Sequence, residues 1–221
     1  MTGAELTRRG VVLFDLDGTI SDSERSILAA IRGAFAAHGI PALSPEQERT
    51  ILGPPFYEVL PPFIGDVPVL AVIASYREIY VDGGGMFDTE VFAGVADLVV
   101  AVAEAGHRIA LATSKPEKYA VQILQKLGLA DCFETVGGDT VEGTRSAKAA
   151  VIEEVLGRLG APDAGSVLMV GDRKHDILGA REHGIETVAV RWGYAPEGEL
   201  EAAAPWGIAE TPADVATLLG I

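Results

Sequence analysis

The chain contains very little cysteine and no long hydrophobic run. Cys132 is the single cysteine among 221 residues, so an internal disulfide framework is excluded, and no neighbour would activate its thiol. The first five residues include an acid and no apolar segment typical of a signal peptide. The longest apolar runs are too short to span a membrane. These absences predict a cytoplasmic protein that does not bind membranes.

Basic residues are also scarce. The chain has 17 lysines and arginines against 32 acidic residues, which gives a formal net charge of −15. Such a surface repels nucleic-acid backbones and anionic lipid headgroups, so we expect neither as a partner. A small phosphorylated metabolite is not excluded. Its site would have to be locally positive, through a metal ion, a lysine or backbone N–H groups.

The first predicted strand is not followed by Gly-x-Gly-x-x-Gly, which excludes a dinucleotide-binding domain. What the sequence does contain is an alternation of short β-branched apolar runs with helical patterns. Strands are predicted at 11–14, 108–112, 133–136, 167–170 and 187–190, and helices at 95–104, 117–127, 147–159 and 176–182. This alternation predicts an α/β fold with a Rossmann-like parallel sheet and helices on both faces.

The alternation is interrupted after the first strand by a segment with helical patterns alone. These lie at 21–38, with Ser21 or Asp22 as N-cap, in short helices between the prolines of 41–68, and at 69–80. The glycines at 83–85 are as compatible with a hinge as with a surface turn. We therefore predict a small all-helical domain at 20–88, inserted into a core domain formed by 1–19 and 89–221.

Polar clusters follow directly after the predicted strands. They lie at 15–19, at 113–115 and at 171–176, and Lys148 begins the helix after the third strand. Because the carboxyl ends of parallel strands meet at one edge of the sheet, we expect these clusters to converge there. Period-2 spacing places Asp15 and Asp17 on the same side of the chain. A helix that begins after Asp172 would keep Asp176 beside it.

Converging carboxylates predict a metal ion. Four acids in one pocket repel one another unless a cation lies among them, and Lys148 is the one obvious fixed positive charge. One lysine does not balance four acids, so we expect a hard divalent cation with oxygen ligands. Mg²⁺ suits a small site that keeps several waters and accepts phosphate oxygens. Gly18 permits a tight turn beside the ligand, and Thr19 can hold that turn.

These residues resemble the motifs of the haloacid dehalogenase superfamily. The chain is similar to the phosphatases of that superfamily that carry a small helical cap inserted after the first strand. The motifs occur in the family's order over essentially the whole length, and they are Asp15-x-Asp17-Gly18-Thr19, then Thr113 after an apolar strand, then Lys148, then Gly171-Asp172-x-x-x-Asp176. The resemblance implies a phosphohydrolase that depends on Mg²⁺ and forms a phosphorylated aspartate.

The resemblance also implies roles for single residues. Asp15 would be the nucleophile and a metal ligand. Asp17 would be the general acid and then the base that activates water, with its backbone carbonyl on the metal. The remaining roles are phosphate binding by Gly18, Thr113, Ser114 and Lys148, and metal binding by Asp172 and by Asp176, the latter directly or through water.

Other interpretations of these residues remain open. Thr113 alone could be an ordinary helix cap, and Arg145 is a rival of Lys148, whereas Lys115 comes too early for the lysine motif. A phosphomutase of the same family would use the same groups. A receiver-like phospho-accepting module also uses a strand-end aspartate, but is about half as long and has no helical insert. Dehalogenases of the family lack the second aspartate, and Asp17 is present.

The substrate is not identified by the sequence. The segments around Thr113 and Asp172 are similar to those of proteins known as phosphoglycolate phosphatases or 5′-nucleotidases. A small cap predicts a compact pocket for a small phosphomonoester, such as a two-carbon acid phosphate, a sugar phosphate or a nucleoside monophosphate. Arg25, Arg49 and Arg77 in the predicted cap are candidates to contact a second anionic group. We expect a monomer or homodimer.

Overall fold

A computed structural model describes residues 10–221, so the N-terminal segment examined for a signal peptide lies outside the described residues. In the described part the strands are β1 Val11–Phe14, β2 Ser21–Asp22, β3 Glu90–Val91, β4 Arg108–Pro116, β5 Thr135–Asp139, β6 Val167–Gly171, β7 Glu186–Val190 and β8 Gly207–Ala209. The α-helices are α1 Glu24–Ala37, α2 Pro45–Ile51, α3 Phe56–Val59, α4 Pro61–Ile64, α5 Val69–Arg77, α6 Val95–Glu104, α7 Glu117–Lys126, α8 Lys148–Arg158, α9 Lys174–Glu182, α10 Glu199–Ala203 and α11 Pro212–Leu219.

Six strands form one parallel sheet in the order β5-β4-β1-β6-β7-β8, which confirms the predicted α/β class. β1 lies in the interior, with Phe14 opposite Leu111 of β4 and Val170 of β6. The chain leaves β1 for one side of the sheet and later returns on the other. The carboxyl ends of β4, β1 and β6 therefore adjoin a topological switch point, where ligands bind in open α/β sheets.

Both faces of the sheet are covered, and this explains why β1 is apolar throughout. Val12 and Phe14 belong to an apolar cluster on one face, and Val11 and Leu13 belong to a second cluster on the other. The alternation follows from the two-residue period of a strand. Burying a side chain such as Phe14 stabilises the fold by roughly 1.5–3 kcal/mol. The rigid strand that results carries the polar residues that follow it.

The helical segment after β1 contains α1 to α5, as predicted, but it begins differently. Ser21–Asp22 pairs antiparallel with Glu90–Val91, so this ribbon connects the two ends of the segment. The first helix therefore starts at Glu24, and the predicted N-cap at Ser21 or Asp22 is wrong. A pair of two-residue strands has no alternation that a sequence can display. The domain division at residues 20 and 88 stays a prediction.

Other boundaries also differ. The helix predicted at 69–80 ends at Arg77 and continues as a π-helical turn over Glu78–Asp82, and Gly84 then adopts a left-handed conformation with φ of 79°. β4 extends four residues beyond its predicted end, through an irregular pairing with β5. β8, α10 and α11 were not predicted. Among the described residues no helix is long and apolar enough to span a membrane.

Candidate active site

Three buried carboxylates meet at the carboxyl end of the sheet. Asp15 follows β1, and its N–H continues the strand pairing by donating to the Val170 carbonyl at 2.9 Å. Asp172 follows β6, and Asp176 lies in the first turn of α9. One carboxylate oxygen from each of the three aspartates lies within 4.8 Å of the others. The predicted convergence of Asp15, Asp172 and Asp176 is therefore present in the fold.

Backbone donors hold two of these carboxylates. The Asp172 Oδ2 atom accepts from the Tyr194 N–H at 2.7 Å, and the Asp176 Oδ2 atom accepts from the Arg173 N–H at 3.0 Å. The neighbouring Gly18 has φ of 83°, and a Cβ atom there would lie 2.2 Å from the Asp172 carboxylate. A side chain at position 18 would therefore both strain the backbone and displace Asp172. Thr19 Oγ1 lies 3.4 Å from Asp172 Oδ1.

Lys148 is the cation of this cluster. Its Nζ atom lies 2.9 Å from Asp15 Oδ1, 2.8 Å from Asp176 Oδ1 and 3.0 Å from the Ala112 carbonyl oxygen. Its rival Arg145 instead lies 3.7 Å from the Glu117 carboxylate and 3.6 Å from that of Glu154. The structure thus places Lys148, and not Arg145, against Asp15.

The electrostatics of the cluster favour a bound divalent cation. Burial raises the pKa of Asp15 to about 6, although Lys148 opposes that rise. Burial and the charges of Asp176 and Asp15 raise the pKa of Asp172 well above its usual range. Burial alone would lower the pKa of Lys148, but Asp15 and Asp176 outweigh it and raise this pKa. Three acids and one lysine leave two negative charges when all are ionised, and an oxygen-binding divalent ion would neutralise them.

Asp176 provides a second indication that a cation fits here. Its Oδ1 atom is fully buried and, despite its proximity to Lys148, receives no hydrogen bond of good geometry. Buried carboxylate oxygens are normally satisfied, because leaving one unpaired is costly. An oxygen aimed into a cluster of carboxylates is suited to be a metal ligand.

Asp17 belongs to a different set of contacts. Its Oδ2 atom lies 3.0 Å from Lys115 Nζ, and its Oδ1 atom accepts from Ser23 Oγ at 2.6 Å. The side chain of Lys115 is only 6% exposed, and its Nζ donates to the Tyr80 hydroxyl at 2.9 Å. Burial would lower the pKa of Lys115, but the charge of Asp17 outweighs it and raises this pKa. Lys115 therefore stays charged and fixes the Asp17 carboxylate.

Lys115 corrects the expectation that Lys148 is the one fixed positive charge at the site. The sequence placed Lys115 in a polar cluster after a strand, which is a usable signal, but nothing indicated its partner. Tyr80 and Ser23 were missed as well, because both belong to the inserted segment and neither stands in a motif. Their contacts with the Asp17 side of the site arise from packing of that segment on the sheet.

The predicted phosphate-binding residues belong to both sets, since Lys148 and Gly18 adjoin the carboxylates and Thr113 bonds to Lys115. Thr113 is buried, and its Oγ1 accepts from the Lys115 N–H at 3.2 Å, so the hydroxyl hydrogen is free to point elsewhere. Ser114 is half-buried and faces a cavity. Asp17 and Lys115 line the same cavity. The phosphate-binding roles of Thr113, Ser114, Lys148 and Gly18 stay predictions.

The cavity extends from Asp17 between the sheet edge and the inserted segment. The cavity has a volume of about 110 Å³. Besides Asp17, Ser114 and Lys115, its walls are Ile27, Ile51, Gly53, Pro54, Pro55, Phe56, Tyr57, Ile73, Tyr76, Arg77, Tyr80, Val81, Pro116, Tyr119 and Asp139. Most of the lining is therefore apolar or aromatic. Of the three arginines proposed to contact a second anion, Arg77 alone lines this cavity.

Comparison with known proteins identifies the family. A model of the haloacid dehalogenase-like hydrolases matches residues 12–190, which include every predicted site residue. The chain belongs to this family. The resemblance inferred from the motifs is thereby confirmed, and the solved structure of a Clostridium acetobutylicum protein described as a predicted phosphatase has the same fold. It superposes with a TM-score of 0.90 at 26% identity, covering 96% of this chain and 99% of that one.

Curated members of the haloacid dehalogenase-like family differ in the activity their names state. The tyrosine-protein kinase PtkA of Mycobacterium tuberculosis is 39% identical over 185 residues, or 83% of this chain. The match spans 62% of PtkA, so the chain covers less than two thirds of that relative. A 5′-nucleotidase of Pseudomonas aeruginosa is 32% identical over 88% of both chains. Further relatives are named phosphoglycolate phosphatase, in agreement with the predicted branch.

Proposed function

We propose that this chain is a Mg²⁺-dependent phosphatase that hydrolyses small phosphomonoesters through an aspartyl-phosphate on Asp15. The observation that supports this most is the position of Asp15. Its Oδ1 atom lies 2.9 Å from Lys148 Nζ, beside two further buried aspartates, and the chain continues to Asp17, which lines a cavity. A nucleophile, a charge-neutralising group and an acid–base group are therefore adjacent, as phosphoryl transfer requires.

The reaction divides between Asp15 and Asp17. An Asp15 carboxylate oxygen attacks phosphorus, the bond from phosphorus to the ester oxygen breaks, and protonated Asp17 gives its proton to that oxygen. A water molecule then attacks the phosphorus of the aspartyl-phosphate while Asp17 takes a proton from it. The bond from phosphorus to Asp15 breaks, inorganic phosphate leaves, and both aspartates return to their starting forms.

The other site residues bind the metal ion or the phosphoryl oxygens in this proposal. Asp15, Asp172, Asp176 and the backbone carbonyl of Asp17 are the proposed ligands of Mg²⁺, which would neutralise charge on the phosphoryl oxygens when bound. Lys148 opposes the rise in the pKa of Asp15 and would adjoin the same oxygens. For the remaining phosphoryl contacts we propose the Thr113 hydroxyl, the Ser114 N–H and the turn at Gly18. Donors fixed before the reaction stabilise its transition state most effectively.

Two related activities would use the same groups and give different products. A phosphomutase returns the phosphoryl group to its substrate, and the name of PtkA states transfer to tyrosine. Both need an organic acceptor in place of water. A receiver-like module is disfavoured, because the chain belongs to the hydrolase family and carries a helical segment after β1. We propose hydrolysis in the cytoplasm by a monomer or homodimer.

A phosphate-release assay tests the proposal. The panel contains phosphoglycolate, sugar phosphates and nucleoside monophosphates, each with Mg²⁺ and with chelator. We expect release with Mg²⁺ alone, and a fall on the order of 10⁴-fold in Asp15→Asn, because the nucleophile is removed while its shape is kept. The exposed Asp66 provides the matched control Asp66→Asn, which should retain full activity.

The assay also separates the rivals. Full activity in Asp15→Asn or in chelator would refute the mechanism. Phosphoryl transfer to a second substrate or to a tyrosine peptide, with no net release of phosphate, would replace the phosphatase by a mutase or a kinase.

A further inference from the structure

The cavity beside Asp17 has no role in the chemistry described so far. It begins at the residue proposed to protonate the leaving oxygen, so the atoms bonded to that oxygen must enter it. We propose that this cavity binds the leaving group of the phosphomonoester and selects a planar aromatic ring over a small anionic group. The inference rests on the proposed phosphatase function and names its substrate class.

The aromatic side chains of the wall form an ordered array. The rings of Phe56 and Tyr76 meet edge to face with centroids 4.7 Å apart, and those of Tyr76 and Tyr80 stack with centroids 5.0 Å apart. Tyr57 and Tyr119 contribute further aromatic wall. Such ring pairs stabilise one another beyond their burial, which helps to fix the rings of the wall before a ligand binds. A flat ring can add one more member without reordering the wall.

The acidic and basic side chains that line the cavity are two of each, so they provide no net positive charge for a second anion. Lys115 is already paired with Asp17, so it adds no net positive charge. The Asp139 Oδ1 atom accepts from the backbone N–H groups of Thr140 and Arg145. The cation that remains is Arg77, which has no acidic side chain within 4.0 Å among the described residues. Its Nη2 already donates to the Val141 carbonyl at 2.5 Å.

A carboxylate such as that of phosphoglycolate would therefore meet the neutral Lys115–Asp17 pair, the acid Asp139, an arginine already bonded to a carbonyl, and apolar walls. Removing a charge from water without a partner is costly, whereas an uncharged ring loses little. A guanidinium also stacks readily on an aromatic face, so Arg77 is compatible with a ring as ligand. The lining matches a neutral, flat, apolar group better than an acid.

Two sources of such a ring have the same chemistry at this wall. In an aryl phosphate, such as phosphotyrosine, the ring is bonded directly to the ester oxygen. In a nucleoside 5′-monophosphate a ribose separates the ring from that oxygen, so the base would lie farther from Asp17. Both compounds belong in the assay, because their relative rates distinguish the two sources.

The test must separate ring recognition from leaving-group reactivity, because aryl phosphates have a better leaving group than alkyl phosphates. Benzyl phosphate solves this, since its leaving group is an alcohol that carries a ring. We expect kcat/KM for benzyl phosphate at least about tenfold above those for ethyl phosphate, phosphoglycolate and cyclohexylmethyl phosphate, the last of which is equally apolar but not flat. Equal values across these four substrates would overturn the inference.

Variants of the wall give a second measurement. Tyr57→Leu and Tyr119→Leu remove half-buried rings of the lining, and Phe87→Leu removes a 41% exposed ring outside it as a matched control. We expect a fall of about fivefold in kcat/KM for benzyl phosphate in both wall variants, less than twofold for ethyl phosphate, and no change in the control. An equal loss with both substrates would contradict ring recognition.

A binding measurement is independent of turnover. Benzylphosphonate should bind the Asp15→Asn protein about tenfold more tightly than ethylphosphonate in isothermal titration calorimetry with Mg²⁺. Equal affinities would overturn the inference. The phosphatase proposal fails on its own if no phosphomonoester is hydrolysed. The phosphatase proposal holds and ring recognition fails if Asp15→Asn is inactive and the wild type hydrolyses phosphoglycolate and benzyl phosphate at equal rates.

Discussion

The two sides of the site differ in the side chains that surround them, although each contains one buried lysine. On the carboxylate side, Lys148 lies among Asp15, Asp172 and Asp176, all of which emerge from the ends of strands or the helix starts beside them. On the cavity side, Lys115 pairs with Asp17 alone and is covered by rings of the inserted segment. The first lysine is outnumbered by acids, and the second is balanced.

This difference separates chemistry from selection. The outnumbered lysine leaves a charge deficit that a metal ion and a phosphoryl group can use, so this side suits any phosphomonoester. The balanced pair leaves no net charge, so the cavity beside it distinguishes substrates by shape and apolar contact. Replacing each lysine by methionine, which has a similar length and no charge, tests this comparison directly.

Lys148→Met should have the larger effect. It removes the cation that contacts Asp15, and the loss of one fixed electrostatic group at a phosphoryl site costs about 10²–10³-fold in rate. We expect kcat/KM to fall about 10³-fold for every substrate, since the carboxylate side does not distinguish them. The exposed Lys118 provides the control Lys118→Met, which should remain fully active.

The Lys148 variant is also expected to be less stable. Removing one partner of a buried ion pair typically costs about 3–5 kcal/mol. Circular dichroism with and without Mg²⁺ should show a folded protein whose melting temperature is lowered and is partly restored by the metal. Lys148→Arg, which keeps the charge, should be folded and more active than Lys148→Met. Comparable activity of Lys148→Met and the wild type would remove Lys148 from the mechanism.

Lys115→Met should have a smaller and more selective effect. Lys115 holds the Asp17 side chain through the 3.0 Å contact of its Nζ atom, in the position from which Asp17 would activate water for hydrolysis of the aspartyl-phosphate. We expect kcat to fall about tenfold, which is less than the 10²–10⁴-fold that a general acid–base group contributes, since Asp17 itself is kept and Ser23 still holds its carboxylate. A reactive aryl leaving group departs from phosphorus with little help from proton donation by Asp17, so kcat/KM for such a substrate, which reports the phosphorylation of Asp15, should change less than threefold.

Rapid-mixing kinetics with p-nitrophenyl phosphate can detect that difference. A slower second step makes the phosphorylated enzyme accumulate, so the Lys115 variant should release a larger burst of nitrophenol than the wild type. Lys115→Arg, which keeps a cation near Asp17, should recover most of kcat. A parallel fall in kcat and kcat/KM without a burst would show that Lys115 supports the first step instead.

The carboxylate side could be predicted from the sequence, and the cavity side could not. Asp15 and Asp172 follow buried apolar strands, and the rule that parallel strand ends converge is sufficient to bring them together. Phe56 comes from a short helix between prolines and Tyr76 from the last turn of α5, and no motif in either helix indicates which side chains meet the sheet. The hydrogen bond from Lys115 to the Tyr80 hydroxyl depends on the same packing. The two-residue strands paired at Ser21 are too short to show the alternation of apolar and polar residues by which a strand is predicted.

The smallest expected effect concerns the stability that the metal contributes. The pKa of Asp15 rises from 3.8 to about 6 on folding, and that of Asp172 also rises, mainly through burial. A raised carboxyl pKa means that the fold favours the protonated acid. The stabilisation from such a group is complete at pH values below its pKa in the unfolded chain. It is lost as the pH rises through the pKa of the group in the folded protein. Without metal, stability should therefore fall between about pH 4 and pH 7.

Mg²⁺ should reverse that loss, because it binds the ionised carboxylates that destabilise the fold at neutral pH. At a hundred times its dissociation constant it contributes about 2.7 kcal/mol, or roughly 5–10 °C in a chain of this size. Differential scanning calorimetry should show this shift at pH 7.5 and less than half of it at pH 5. Asp172→Asn should abolish the shift, whereas Asp17→Asn should keep most of it, since the proposed ligand from that residue is its backbone carbonyl. An equal shift at both pH values would mean that the ion binds outside the buried carboxylates, and the contrast between the two sides of the site would then lose its electrostatic basis.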